Sequence, residues 1–151
     1  MKKAWLIFVL SFLPNLVFAI PNSESFLYGK WLTTSERCEK SGPYAEDFQE
    51  QTKLVKWIEF SPHGQMKGDF RSLDESYHLT FRGTFHVRAH ELTVVTTEST
   101  ENGVKQNDFS SVTSNYSLNG NSLTISHAIT DSGEACPIGD HAVTVMRRLS
   151  K

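Results

Sequence analysis

The stretch from Tyr77 to Val87 restricts the possible folds of this chain more than any other. Tyr77, Leu79, Phe81, Gly83, Phe85 and Val87 alternate with His78, Thr80, Arg82, Thr84 and His86. A helix would spread such an alternation around its whole circumference, whereas a strand sends successive side chains to opposite sides. The segment therefore predicts a strand with one face on an apolar core and the other in water.

The same period recurs along the chain. Leu92, Val94 and Thr96 continue it after a short turn at Ala89-His90. Val112, Tyr116 and Leu118 lead into Asn119-Gly120-Asn121, a hairpin signal, and Leu123, Ile125 and Ile129 lead out of it. Val143 and Val145 mark a final strand over 142–149. Residues 54–60 and 65–70 flank Ser61-Pro62-His63-Gly64, where proline second and glycine fourth suit a type I turn. With Tyr28-Gly29-Lys30-Trp31-Leu32 as the first strand, about eight antiparallel strands in hairpin order are expected. The expected helix content is at most one short helix within 44–51, between the first two strands.

Residues 1–19 begin with Lys2 and Lys3, continue with an apolar run and end in Val17-Phe18-Ala19, the three-part pattern of a signal peptide cleaved after Ala19. Pro14 and Asn15 interrupt a run already shorter than the roughly 20 apolar residues of a spanning helix, so no stable membrane insertion is expected. Residues 20–151 then make one domain, expected as a monomer in the periplasm or outside the cell. Without Lys2 and Lys3, 13 of the 15 basic side chains remain against 17 acidic ones, a formal charge of −4. That balance and the lack of a clustered basic run argue against nucleic acid as a partner. The two cysteines, Cys38 and Cys136, are an even count in a chain read as exported, which favours a disulfide.

Eight antiparallel strands can form an open sheet, a sandwich or a barrel, and the chain ends choose among them. Opposed residues in an antiparallel pair keep a constant sum of residue numbers. The sums for Cys38 with Cys136 and for Trp31 with Arg147 agree to within a few residues. A bridge between the cysteines, holding their Cα atoms roughly 5 to 6 Å apart, therefore sets the first strand beside the last. That closes the sheet into an up-and-down barrel without edges.

Gly29-Lys30-Trp31 in the first strand, with Arg147 in the last, resembles the Gly-x-Trp and closing-strand arginine of the lipocalins and the wider calycin group. The 60–64 turn and the 116–123 hairpin are similar to those of short bacterial lipocalin-like domains. The lipocalin Thr-Asp-Tyr motif is missing, which points to a lipocalin-like domain. The resemblance implies an all-β, eight-stranded barrel in which Arg147 lies over Trp31 at the closed end. Gly29, Trp31 and Arg147 are then structural.

Taking the strands up and down in turn, the tight turns 61–64, 88–91 and 119–121 gather at one end, and the longer connections 35–52, 71–76, 99–108 and 130–140 at the other. Long loops on a rigid scaffold are where binding usually resides. Parity carries the inward set Leu92, Val94 and Thr96 on to Glu98, places His127 between Ile125 and Ile129, and gives His141 the parity of Val143 and Val145. His127 and His141 are expected on adjacent strands, forming with Tyr77 a polar crown over Phe81, Phe85 and Tyr116. This crown is read as hydrated rim residues, as groups orienting a ligand head, or as a metal set of His127, His141 and Glu98.

An eight-stranded barrel is just wide enough to be filled by side chains or to hold one small ligand. A hollow one predicts a carrier of a small apolar molecule, with Tyr77, Phe81, Phe85, Glu98, Tyr116, His127 and His141 as binding residues. A filled one predicts a protein-binding module, such as an inhibitor of a secreted or host enzyme acting through its rim loops. No Gly-x-Ser-x-Gly, His-Glu-x-x-His or phosphate-cradling glycine loop occurs, so neither catalysis nor a cofactor is expected.

Overall fold

The computed structural model describes residues 23–106, 109–132 and 134–150; the leader expected at 1–19 lies outside them. The strands are β1 (Gly29–Cys38), β2 (Val55–Ser61), β3 (Gln65–Arg71), β4 (His78–Arg88), β5 (Glu91–Glu101), β6 (Val104–Gln106), β7 (Ser110–Asn119), β8 (Ser122–Ala128) and β9 (His141–Ser150). Neighbours pair antiparallel in the order β1, β2, β3, β4, β5, β7, β8, β9, and β9 returns to β1. The expected closed eight-stranded barrel is therefore present. The connection expected over 99–108 contains a further short strand, β6, which adds to the far end of β5 alone. Among the described residues, helical turns are confined to Ser23–Phe26, Pro62–Gly64 and a stretch formed by Glu46–Phe48 and Gln49–Thr52, the last between β1 and β2 as expected. No helix among the described residues is long and apolar enough to cross a membrane.

Alternation along β4 follows the sequence closely. Phe85 and Val87 are buried while Thr84, His86 and Arg88 are exposed. Phe85 joins Leu27, Trp31, Phe60, Met66, Leu92, Leu123 and Met146 in a core that fills the end of the barrel with the tight turns. Each of these buried side chains contributes about 1.5 to 3 kcal/mol relative to exposure.

The 23–28 segment closes that end from below. Leu27 is fully buried, and its carbonyl accepts a hydrogen bond from Trp31 Nε1 at 2.7 Å. Gly29 has φ of 122°, a conformation that side chains disfavour, and turns the chain from this plug into β1.

The arginine over Trp31 is Arg148, not Arg147. Its guanidinium lies 4.3 Å from the indole centre, donates to the Tyr28 carbonyl at 2.7 Å and also donates to the Phe26 carbonyl. Arg147 is exposed on the outer face. A register shift between Lys30 and Trp31 sets Trp31 opposite Arg148. Because side chains alternate, a slip of one residue exchanges the two faces. With a second shift between Thr33 and Ser35, the ladder places Thr144, Met146 and Arg148 on the inner face and Val143 and Val145 on the outer one, where Val143 is nonetheless buried.

Cys38 and Cys136 form the expected disulfide, with Cα atoms 5.6 Å apart. Cys136 lies in the connection before β9, however, and the ladder partner of Cys38 is Ala142. The bridge therefore ties a loop to the end of β1 rather than one strand to another. At the β2–β3 turn, His63 adopts φ of 68°, whereas a type I turn keeps that position at negative φ.

On the outer face, Asp69 is 6% exposed and accepts two hydrogen bonds from Arg71, at 2.8 and 2.7 Å, with His78 Nε2 at 3.0 Å. The Arg71 hydrogen bonds hold its carboxyl below the usual carboxylate range, against a smaller opposing effect of burial. A depressed folded-state pKa stabilises the protein above the unfolded value of about 3.9 and loses that contribution as pH falls through the lower one.

Trp31→Ala should cost about 3 to 5 kcal/mol in urea unfolding. Arg148→Met should cost about 2 to 4 kcal/mol, and Arg147→Met less than about 0.5 kcal/mol; equal effects for the two arginines would refute the assignment. Asp69→Asn should destabilise at pH 7, with the gap from the parent narrowing below about pH 4.

Candidate functional site

The tight turns and the long connections segregate to opposite ends as expected, but the mouth is not uniformly open. Over β1, β8 and β9 it is roofed by a second apolar cluster of Cys38, Tyr44, Ile129 and Cys136, packed against Phe48, Ala135 and Ala142. The disulfide pins this roof, and Ala45 N donates to the Ala135 carbonyl at 2.9 Å. Asp140 organises its base: its carboxylate accepts from the backbone N–H groups of Lys40 and Ser41, each at 3.0 Å, from that of His141 at 2.7 Å, and from the Ser41 hydroxyl at 2.8 Å. Burial pushes the Asp140 pKa up, but these hydrogen bonds outweigh it and hold the carboxyl well below its ordinary value.

The remaining half of the mouth is open. Between the short helical stretch and the β3–β4 connection lies a cavity of about 680 Å³, lined by Leu54, Lys56, Phe70, Leu73, Tyr77 and Leu79 together with polar rim residues. A second hollow of about 370 Å³ shares Phe70, Tyr77 and Leu79 and adds Phe81, Thr96, Ser99 and Glu101. The Phe70 and Phe81 rings meet edge to face at 5.0 Å and form the floor. Glycine at 68 makes this possible, since a Cβ there would sit 2.2 Å from Phe81 Cζ. Burial, and then the charge of Glu101, raise the Tyr77 pKa, so its hydroxyl stays protonated and available as a donor.

One ion pair is enclosed by the barrel. Lys56 Nζ lies 2.7 Å from Glu36 Oε2, with side-chain exposures of 8% and 10%. The ammonium is also 5.5 Å from the centre of the Phe70 ring. Tyr44 stands near the carboxylate, and burial followed by the Glu36 charge raises its pKa. The two charges gain a close mutual contact in exchange for lost hydration, so removing either one alone leaves the other uncompensated.

Of the residues expected at the mouth, Tyr77 and Phe81 line the cavities. Phe85 belongs to the packed core, 4.8 Å from Phe60. Tyr116 also packs against the core, and its hydroxyl donates to the Ala89 carbonyl at 3.4 Å, at the end with the tight turns. Glu98 points outward to Arg82, 2.7 Å away. The cause is a bulge: Arg82 opposes Glu98 and Gly83 opposes Thr96, so Thr97 is extra and the inward parity passes to Ser99 and Glu101.

His127 shares the inner face of Leu123 and Ile125 and opposes Ala142, whereas His141 opposes Ala128 on the other face. The polar crown does not assemble, and the metal set of His127, His141 and Glu98 is separated. His127 Nε2 stands 4.0 Å from Glu134. Glu39, Asp140 and His141 do converge, but the Asp140 oxygens are already occupied as loop caps.

The sequence reading missed Glu36, Lys56, Phe70, Leu79 and Glu101. For Lys56 a signal existed, because alternation with Ile58 and Phe60 puts a cation on an apolar face. No protein-family model matches the chain, and no curated protein matches it.

The double change Cys38→Ser with Cys136→Ser, which opens a loop spanning 98 residues, should cost about 2 to 5 kcal/mol. Hydrogen exchange should rise in the 39–54 and 129–140 connections and stay low in the Trp31 core; uniform loosening would contradict the roof as described.

Proposed function

We propose that the protein is an exported, non-catalytic, lipocalin-like carrier that holds one small apolar molecule in the open half of the barrel mouth. The cavity of about 680 Å³ lined by Leu54, Phe70, Leu73, Tyr77 and Leu79 carries this reading. Its volume lies within the range of small-molecule sites, and an apolar wall of Leu54, Phe70, Tyr77 and Leu79 lies under a rim of charged and polar residues, among them Glu50, Lys53 and Asp74. The disulfide and the expected leader support export to an oxidising compartment. A protein-binding module is the second reading. The observation favouring it is that Phe109 and Ile138, on mouth connections and outside the cavity lining, are 78% and 64% exposed.

Titration with an environment-sensitive apolar dye separates the two readings. Saturable one-to-one binding is expected, weakened at least about tenfold in Leu79→Glu through loss of apolar contact. Thermal unfolding of that variant should remain within a few degrees of the parent, since Leu79 lies outside the packed core. Undiminished dye binding in Leu79→Glu, with loss in a Phe109→Ser, Ile138→Ser double variant, would move the site to the rim loops.

A further inference from the structure

Among the described residues, Lys56 is the one ammonium group that both lines the cavity and is held inside the barrel, and it is already paired there with a carboxylate. Its residue is 7% exposed, and the hydrogen bond the structure gives its Nζ goes to Glu36 Oε2 at 2.7 Å. An ammonium has three donors, so the pair retains donor capacity without net charge. Asp74 and Glu101 add negative charge around the two hollows, while Lys53 at the rim is paired with Glu50.

A carboxylate entering this cavity would become a second anion competing with Glu36 for one buried cation, and would lose its hydration without gaining an unpaired counter-charge. A hydroxyl or carbonyl head would accept a hydrogen bond from one of the remaining N–H groups of Lys56 while leaving the existing pair intact. Its apolar tail would meet Phe70, Leu79 and Phe81.

Resting on the carrier reading, we propose that the Lys56–Glu36 pair is a head-group subsite selecting an uncharged amphiphile with a hydrogen-bond-accepting head over a fatty acid of equal chain length. Glu36 is the specificity element. It acts by holding Lys56 electrically satisfied.

The test is displacement of the bound apolar dye by dodecanol and by dodecanoate at pH 8, below the micellar range. In the parent, dodecanol should compete at least about tenfold more strongly. In Glu36→Gln the preference should invert, because Lys56 then lacks a counter-charge that the carboxylate can supply. The double change Glu36→Leu with Lys56→Met removes both charges and so avoids an uncompensated ion. It should retain dye binding while losing about tenfold in dodecanol affinity.

Equal or stronger competition by dodecanoate in the parent overturns the proposal and leaves the carrier standing. So does an unchanged preference in folded Glu36→Gln, or unchanged dodecanol affinity in the double variant. Failure of the parent to bind dye or either amphiphile overturns the carrier and the subsite together.

Discussion

The pairing of β1 with β9 is the constraint on which the remainder of the structure depends, and it is secured at both ends by groups that are not part of the ladder. At the closed end, Arg148 covers Trp31 and its hydrogen bonds reach back to the carbonyls of Tyr28 and Phe26. At the mouth, the Cys38–Cys136 bridge and the Asp140 cap hold the connection before β9 against the connection after β1. Without this pairing the sheet would have two exposed edges and no enclosed interior. The cavity and the buried ion pair are consequences of closure.

Closure also creates an electrostatic problem that shapes the site. Glu36 and Lys56 are on adjacent strands, β1 and β2, and inward alternation brings both into a region with little water. Each is the other's counter-charge at 2.7 Å. Such a pair is a poor source of net stability; under the carrier proposal it would discriminate, since a bound molecule must not disturb its neutrality. The roof of Tyr44, Phe48 and Ile129 limits the approach to the side of β2, β3 and β4.

The barrel was legible in the sequence because period-two alternation, the Asn119-Gly120 turn and the two cysteines all point to the same topology. The site was much less so. Alternation propagates without error only along an unbroken ladder, and Thr97 is an unpaired extra residue that turns Glu98 outward and Glu101 inward. The shift between Lys30 and Trp31 likewise exchanged Arg147 for Arg148. Nothing in the local composition marks either irregularity. A 133–135 centred connection pairs His127 with His141 or its neighbour; the neighbour, Ala142, is the residue opposed, and that single step turns His141 to the other face. Lys56 could have been found by asking which charged residue falls on an apolar face. Phe70 owes its role to the gap left by Gly68, which only the three-dimensional arrangement reveals.

The division of the barrel interior into a solid half and a hollow half has an evolutionary implication. Side chains around Phe60, Leu123 and Met146 maintain the architecture, whereas those at Leu54, Leu73 and Leu79 contribute little to it. Substitutions can accumulate among the latter without eroding foldedness, so a lineage built on this scaffold is free to reshape the hollow half while keeping the same frame.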